Sequence, residues 1–290
     1  MILDVSSSVL ANVRKWSGAA LVVLLAACSS TRPSVPAAVE RARAERDTGD
    51  SSLRLDSPVT AARAYARGLE AARSGDQDAL AADLAYRLGL AHLATGDAAA
   101  ALTALDEAVL RSERSGARGI LSRALLTRAR VGSGSRISID LQRALTLARE
   151  DGDRVLEALA LIGQAAHATN AQAETGFLAQ AATAAGGRPE IDGPIALIRA
   201  RRDEPARPEV AKILFQQAAD SFRTTGDRAG LLAALSGLAR TATTTGAWAE
   251  AAAYHRRAAE VATALGRNPD AAEHRRQAEA VERHPAPTPR

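Results

Sequence analysis

Cys28 is the only thiol in the chain. No intramolecular disulfide can form, and the position of this cysteine, at the end of an apolar run, matters more than its redox chemistry. The five histidines are His92, His167, His255, His274 and His284. None belongs to an HExxH pair and none sits beside a cysteine cluster, so the residue types argue against a zinc site. His92 and His167 stand near the ends of apolar helical patterns, and His92 reads as a half-buried packing residue. Gly132-Ser133-Gly134-Ser135 has the look of a phosphate or nucleophile loop. It lacks the lysine that such a loop needs and does not follow a strand pattern, so it reads as a turn between helices. His255-Arg256-Arg257 and His274-Arg275-Arg276 repeat a basic tripeptide. Two readings stay open for them: a basic patch for an acidic partner or lipid headgroups, or solvated helix faces balanced by Glu250, Glu260, Glu273 and Glu279. No set of residues assembles a nucleophile, a base and an orienting group. The expectation is therefore no catalytic residue, no metal, no cofactor and no enzyme.

The elements that would position any site are helices. The chain is 47% hydrophobic but only 3% aromatic, with alanine supplying most of the apolar count. Alanine favours helices and takes little space, and β-branched and aromatic residues are too sparse for a sheet. In the stretch 82–116, Leu84, Leu88 and Ala91 recur at helical spacing, Thr95-Gly96-Asp97 breaks the pattern, and Leu102, Leu105 and Val109 resume it. Gly96 suits a reversal and Asp97 is placed to cap the next helix. Two such helices cannot bury both apolar faces alone and need copies as neighbours.

The copies are present. A small residue, a large apolar residue four later and a small residue three after that recur as Ala61-Tyr65-Gly68, Ala101-Leu105-Ala108, Ile137-Leu141-Ala144, Ala173-Phe177-Gln180, Ala211-Phe215-Ala218 and Ala251-His255-Ala258. Successive starts lie 36 to 40 residues apart. That period, in helix–turn–helix units, is the signature of an α-solenoid. Gly49, Gly96, Gly132 and Gly246 mark turns inside units, and the first unit has a long inner loop, 49–58. The first helix of the fifth unit is expected to be short, 195–202, between Pro194 and Pro205. Residues 268–283 read as a capping helix with Asn268 as N-cap, Pro269 in the first turn and a polar outer face.

These units resemble the tetratricopeptide repeat. Leu88-Gly89 and Ile162-Gly163 match the Leu-Gly of its first helix, and Ala101, Leu105 and Ala108 match the Ala, Phe and Ala of its second. The resemblance covers residues 37–284. It implies an all-α, right-handed α-solenoid of about six helix–turn–helix units with a C-terminal capping helix. Gly89, Ala101 and Ala108 would leave room for neighbours, and Leu105, Phe177 and Phe215 would fill the space between units. The first helices would line a concave groove, placing Tyr86, Leu90, Ser122, Leu126, Gln164, His167, Ser236 and Arg240 near it. That mixture lacks a Lys and Asn cluster and suits an extended or helical segment with apolar anchors.

The N-terminus reads as an address. Arg14 and Lys15 precede an apolar run, 17–27, that is too short to cross a bilayer, which takes about 20 residues, and fits a signal-peptide core. It ends in Leu25-Ala26-Ala27-Cys28, which resembles the bacterial lipoprotein signal. The resemblance implies removal of residues 1–27, acylation of Cys28, a tether over 28–36 and, with Ser29 rather than Asp after the cysteine, delivery to the outer membrane facing the periplasm. The tail 285–290 is expected to be disordered. Met1 is the only methionine, and the acidic, non-basic stretch 1–12 is unlike a signal n-region. Translation is therefore expected to start at Val13. Basic and acidic residues number 37 and 33 and are interspersed, with no basic stripe among aromatics, so nucleic acid is not expected as a partner. The resemblances together imply a lipid-anchored scaffold that holds other envelope proteins, or peptide segments of them, for an assembly or secretion machine. The alternative is an enzyme, or a regulator of one, acting on cell-wall polymer.

Overall fold

The computed structural model describes residues 36–283. The expected signal segment, start site, Cys28, most of the tether and the C-terminal tail lie outside the described residues. Within them the chain forms thirteen α-helices and no strand. These are α1 (Ala37–Arg54), α2 (Pro58–Ser74), α3 (Asp78–Ala94), α4 (Ala98–Ser115), α5 (Arg118–Val131), α6 (Arg136–Glu150), α7 (Arg154–Ala166), α8 (Ala171–Ala185), α9 (Pro189–Asp203), α10 (Pro208–Thr225), α11 (Arg228–Thr244), α12 (Trp248–Ala264) and α13 (Asn268–Glu282). They make six helix pairs, each an odd-numbered helix followed by an even-numbered one, with α13 closing the last pair. Each helix packs mainly against its immediate neighbours in sequence. The molecule is an α-solenoid.

The turns work as the residue types dictate. Gly96 takes φ 82°. Asp97 accepts a hydrogen bond from the Ala100 N–H at 3.0 Å, and Asp153, Asn170 and Asp227 cap α7, α8 and α11 in the same way. Each cap satisfies an orphan N–H and contributes about 1 kcal/mol.

The core is a row of large side chains in the even-numbered helices. Tyr65, Leu105, Leu141, Leu178 and Phe215 are all at most 3% exposed. Four of them sit where a glycine faces them. A Cβ at Gly49 would lie 2.3 Å from Tyr65, at Gly89 2.9 Å from Leu105, at Gly163 2.5 Å from Leu141, and at Gly237 2.3 Å from Phe215. Glycine here provides a socket for the facing knob. Ala101, Ala108, Ala211 and Ala218 are fully buried around them, so helices approach closely.

Four local expectations are corrected. Gly49 does not mark a turn, and 49–58 is not a loop. α1 continues to Arg54 because Gly49, inside the helix, is the socket for Tyr65, whose hydroxyl donates to Asp50 at 2.6 Å. In the fourth unit the packing residue is Leu178, not Phe177. Phe177 is half-buried at the edge of the core, and Gln180 is exposed beside buried Ala181. The pattern there is displaced by one residue, since only that register aligns Leu178, Ala181 and Ala185 on one face. α9 is not cut at Pro194 but runs through it from Pro189. Burial of Ile191 and Ile195 on either side holds the helix together despite the missing N–H. Asn268 is the first helical residue of α13 and makes no side-chain cap, the N-cap position falling on Arg267.

Candidate functional site: the concave face

The curvature follows from which helices meet beyond their sequence neighbours. α1 touches α3, α3 touches α5, α5 touches α7, α7 touches α9 and α9 touches α11, whereas the even-numbered helices make no comparable contact with one another. Odd-numbered helices are therefore crowded together and line the inner, concave side. The even-numbered ones are splayed on the outside.

That inner face is built from engaged polar groups. On α1 and α3, Arg87 bridges Asp50 at 2.8 Å and Asp83 at 2.9 Å, and Asp50 also accepts the Tyr65 hydroxyl. Burial, reinforced by Asp50, raises the Tyr65 phenol well above its ordinary value, so it stays a hydrogen-bond donor. Behind that face, Arg128 ties α5 to its outer neighbours, making a two-pronged pair with Asp140 of α6 at 2.8 and 2.7 Å and reaching Asp106 of α4 at 2.7 Å. Asp140 is 2% exposed, so this pair is internal to the wall. Its hydrogen bonds raise the Arg128 guanidinium further. On α9 and α11, Arg240 grips Glu204 at 3.1 and 2.9 Å. Arg201 lies one turn before Glu204 on the same face. Burial, and then the charge of Arg240, push its guanidinium down.

The expected groove residues distribute unevenly. Tyr86 and Leu90 are half-buried on α3. Arg240 is exposed but held by Glu204, and Gln164 donates to Gln142 of α6 at 3.1 Å. Ser122 and Leu126 are not groove residues: they are 1% and 8% exposed, and the Ser122 hydroxyl points at the Ala144 carbonyl. α5 carries a fully buried Leu125 one period after Gly89, so it presents Arg123 and Arg130 to solvent instead. His167 is exposed just past the end of α7. Ser236 is covered by α13, its hydroxyl lying 3.1 Å from His274 Nε2.

That last contact belongs to a cluster that sequence reasoning missed. His255 and His274, read as parts of a repeated basic tripeptide, turn inward and meet Nδ1 to Nδ1 at 3.1 Å. The arginines beside them turn outward: Arg256 pairs with Glu282, Arg276 with Glu273, and Arg275 donates to Thr263. The six-unit pattern did hold one signal, a histidine at the position of a buried large residue. The Ser236 hydroxyl donates to the Leu232 carbonyl at 2.8 Å, so it accepts from His274 Nε2–H. His274 Nδ1 is then the acceptor and His255 Nδ1–H the donor. The pair holds at most one positive charge without losing this bond.

Burial is the main reason both rings stay neutral. It lowers His255, as does the charge of His274, against the pull of Glu273. It lowers His274, as does Arg267, against Asp270 and Glu273. Because both folded values fall below the ordinary value of 6.5, the unfolded state binds more protons in that window. The stability contributed by the pair is complete above about pH 6.5 and is lost as pH falls towards the depressed folded values. The protection of α13 amides, relative to the intrinsic exchange rate at each pH, should fall on lowering the pH from 7 to 5, and His255→Leu with His274→Leu should remove that dependence. An α13 whose protection does not change over this range would refute the linkage.

A cleft of about 490 Å³ between α9 and α10 is lined by Asp192, Asp220 and Ser221, among others. Asp220 is engaged by Arg223 and Gln216, and the Ser221 hydroxyl donates to the Pro189 carbonyl. Among the described residues no group of three or more His, Cys, Asp or Glu is placed to hold a metal ion. Compared with models of known protein families and with curated proteins, the chain matches none.

Proposed function

We propose that the chain is a lipid-anchored interaction scaffold of the bacterial envelope, facing the periplasm, which holds other envelope proteins or their peptide segments on its concave face. The observation that carries this reading is the inner wall itself. It is a continuous curved surface whose ionic groups are satisfied by each other, leaving shape, half-buried Tyr86 and Leu90, and a few partly free cations to meet a partner. Such a wall supports binding of an extended or helical polypeptide and offers no nucleophile–base pair for turnover. The likeness to tetratricopeptide repeats and the Leu25-Ala26-Ala27-Cys28 signal support the rest. Among the described residues no helix is long and apolar enough to cross a membrane, and on this reading attachment rests on acyl chains at Cys28.

Cys28→Ala should abolish incorporation of a fatty-acid label and move the protein from the membrane fraction to the soluble one. A variant that stays with membranes as fully as the native chain would end the anchor assignment. Crosslinking of the native lipoprotein in its own cell, from positions 86 and 90, should give defined adducts with envelope proteins. Adducts from outer-face positions only would end the assignment of the concave face.

A further inference from the structure

The solenoid closes on itself. The α1–α2 turn, in the first unit, meets the start of α11, in the sixth, where the Asp56 carboxylate accepts a hydrogen bond from Arg228. Asp56 holds φ 54°, a conformation that costs a non-glycine residue. One unit further on, the contact repeats. The α3–α4 turn lies against the start of α13, where a Cβ at Gly96 would stand 3.7 Å from Arg267 Nε. That Nε is buried without a hydrogen-bond partner, while Arg267 Nη2 pairs with Asp270 at 2.6 Å. Two successive turns on one edge of the spiral thus meet two successive turns on the other edge, in register.

The loosest joint of the ring lies between α8 and α9. α8 and α9 barely touch, and α9 leans on α7 instead. Their connection contains Gly186 and Gly187 at φ 59° and 78°, followed by Arg188 and Pro189. One large cluster of buried side chains runs from Ala42 to Ile195, and the buried side chains from Ala200 onward fall into separate ones. Pro194, inside α9 and just ahead of this break, offers no N–H to the carbonyl one turn back.

We propose that the chain is a clasp: α1–α8 form one arm, α10–α13 the other, α9, which packs on both, is the joint between them, and Asp56 with Arg228 is the latch. Opening the latch widens the ring and exposes the concave face to a polypeptide segment, a consequence that rests on the reading of that face as an interaction surface. The latch is suited to opening. Both side chains are about half exposed, at 57% and 46%, and an exposed ion pair is weak and screened by salt. Beside Gly96, Arg267 forms its ion pair with Asp270 of the helix it caps.

The test is a distance. In the full chain carrying Cys28→Ser, spin labels at Leu55→Cys and Ala229→Cys flank the latch without removing it. The expected distribution has a dominant short distance that gives way to a longer, broader one in high salt and in Asp56→Arg. It should return when Asp56→Arg is combined with Arg228→Asp. A single short distance that neither salt nor Asp56→Arg alters would overturn the proposal, since the ends would then be fixed by the rigid spiral. Absence of any short distance in the native pairing would overturn it as well. The measurement needs no partner. Failure to capture any partner would tell against the interaction reading and leave the distance result standing.

Discussion

Gly237→Val is expected to destabilise the C-terminal arm by about 3 kcal/mol. A Cβ at this position would stand 2.3, 2.5 and 2.6 Å from three ring carbons of Phe215. No real contact is that short, so either the ring or α11 must move. The ring has nowhere to go, because Phe215 is fully buried among Ala211, Ala218, Leu235 and Leu238. Helix propensity gives the control for sign. In an open helix Gly→Ala stabilises by up to about 1 kcal/mol. Gly237→Ala must instead destabilise, since its Cβ alone makes the clash. Pairing Gly237→Ala with Phe215→Leu should recover part of the loss, giving a non-additive cycle. Denaturant unfolding of these variants, with amide exchange to locate the loss in α10–α13, is the measurement. A Gly237→Val chain as stable as the native one would mean that Phe215 does not occupy this socket.

Arg128→Ala should cost about 3–5 kcal/mol. The loss arises less from the attraction removed than from the carboxylate left behind. Asp140 is 2% exposed and takes two hydrogen bonds from the Arg128 guanidinium, which itself is only 12% exposed as a side chain. Without Arg128 the carboxylate is buried and unpaired between α5 and α6. Removing both charges with residues of similar volume, Arg128→Met with Asp140→Leu, should restore most of the stability, because that replacement leaves no uncompensated ion. Asp106, at the exposed end of the same guanidinium, should matter far less, and Asp106→Ala is expected within about 1 kcal/mol of the native chain. Thermal or urea unfolding that ranks these variants differently would show that the Arg128–Asp140 pair is not part of the native wall.

How much could be read from the sequence differs from residue to residue. The Ala61, Ala101 and Ala211 periodicity with Tyr65, Leu105 and Phe215 four residues on was legible because burial of a helix stripe leaves a 3.6-residue imprint that needs no knowledge of neighbours. Asp97 was legible as a cap at a chain reversal for a similar reason: a capping carboxylate acts on N–H groups two or three residues away. The fourth unit misled because Phe177 is larger than Leu178, and size alone cannot say which of two adjacent apolar residues faces inward. Gly49 misled because glycine serves both reversals and sockets, and only the presence of Tyr65 opposite decides between them. Ser122 and Leu126 misled because fully buried Leu125 occupies the position one period after Gly89, and the residues on either side of it are buried with it.

The sequence by itself determined that this chain is an array of helix pairs, since local propensity, caps and a period of 36 to 40 residues all act within one unit or between adjacent ones. Only the tertiary structure decided what depends on angles accumulated over many units. It turned His255 towards His274, set Arg128 between Asp106 and Asp140, and brought Asp56 to Arg228 across 172 residues. Each interface adds a small rotation that no single unit encodes, and their sum fixes which side is concave and where the ends meet.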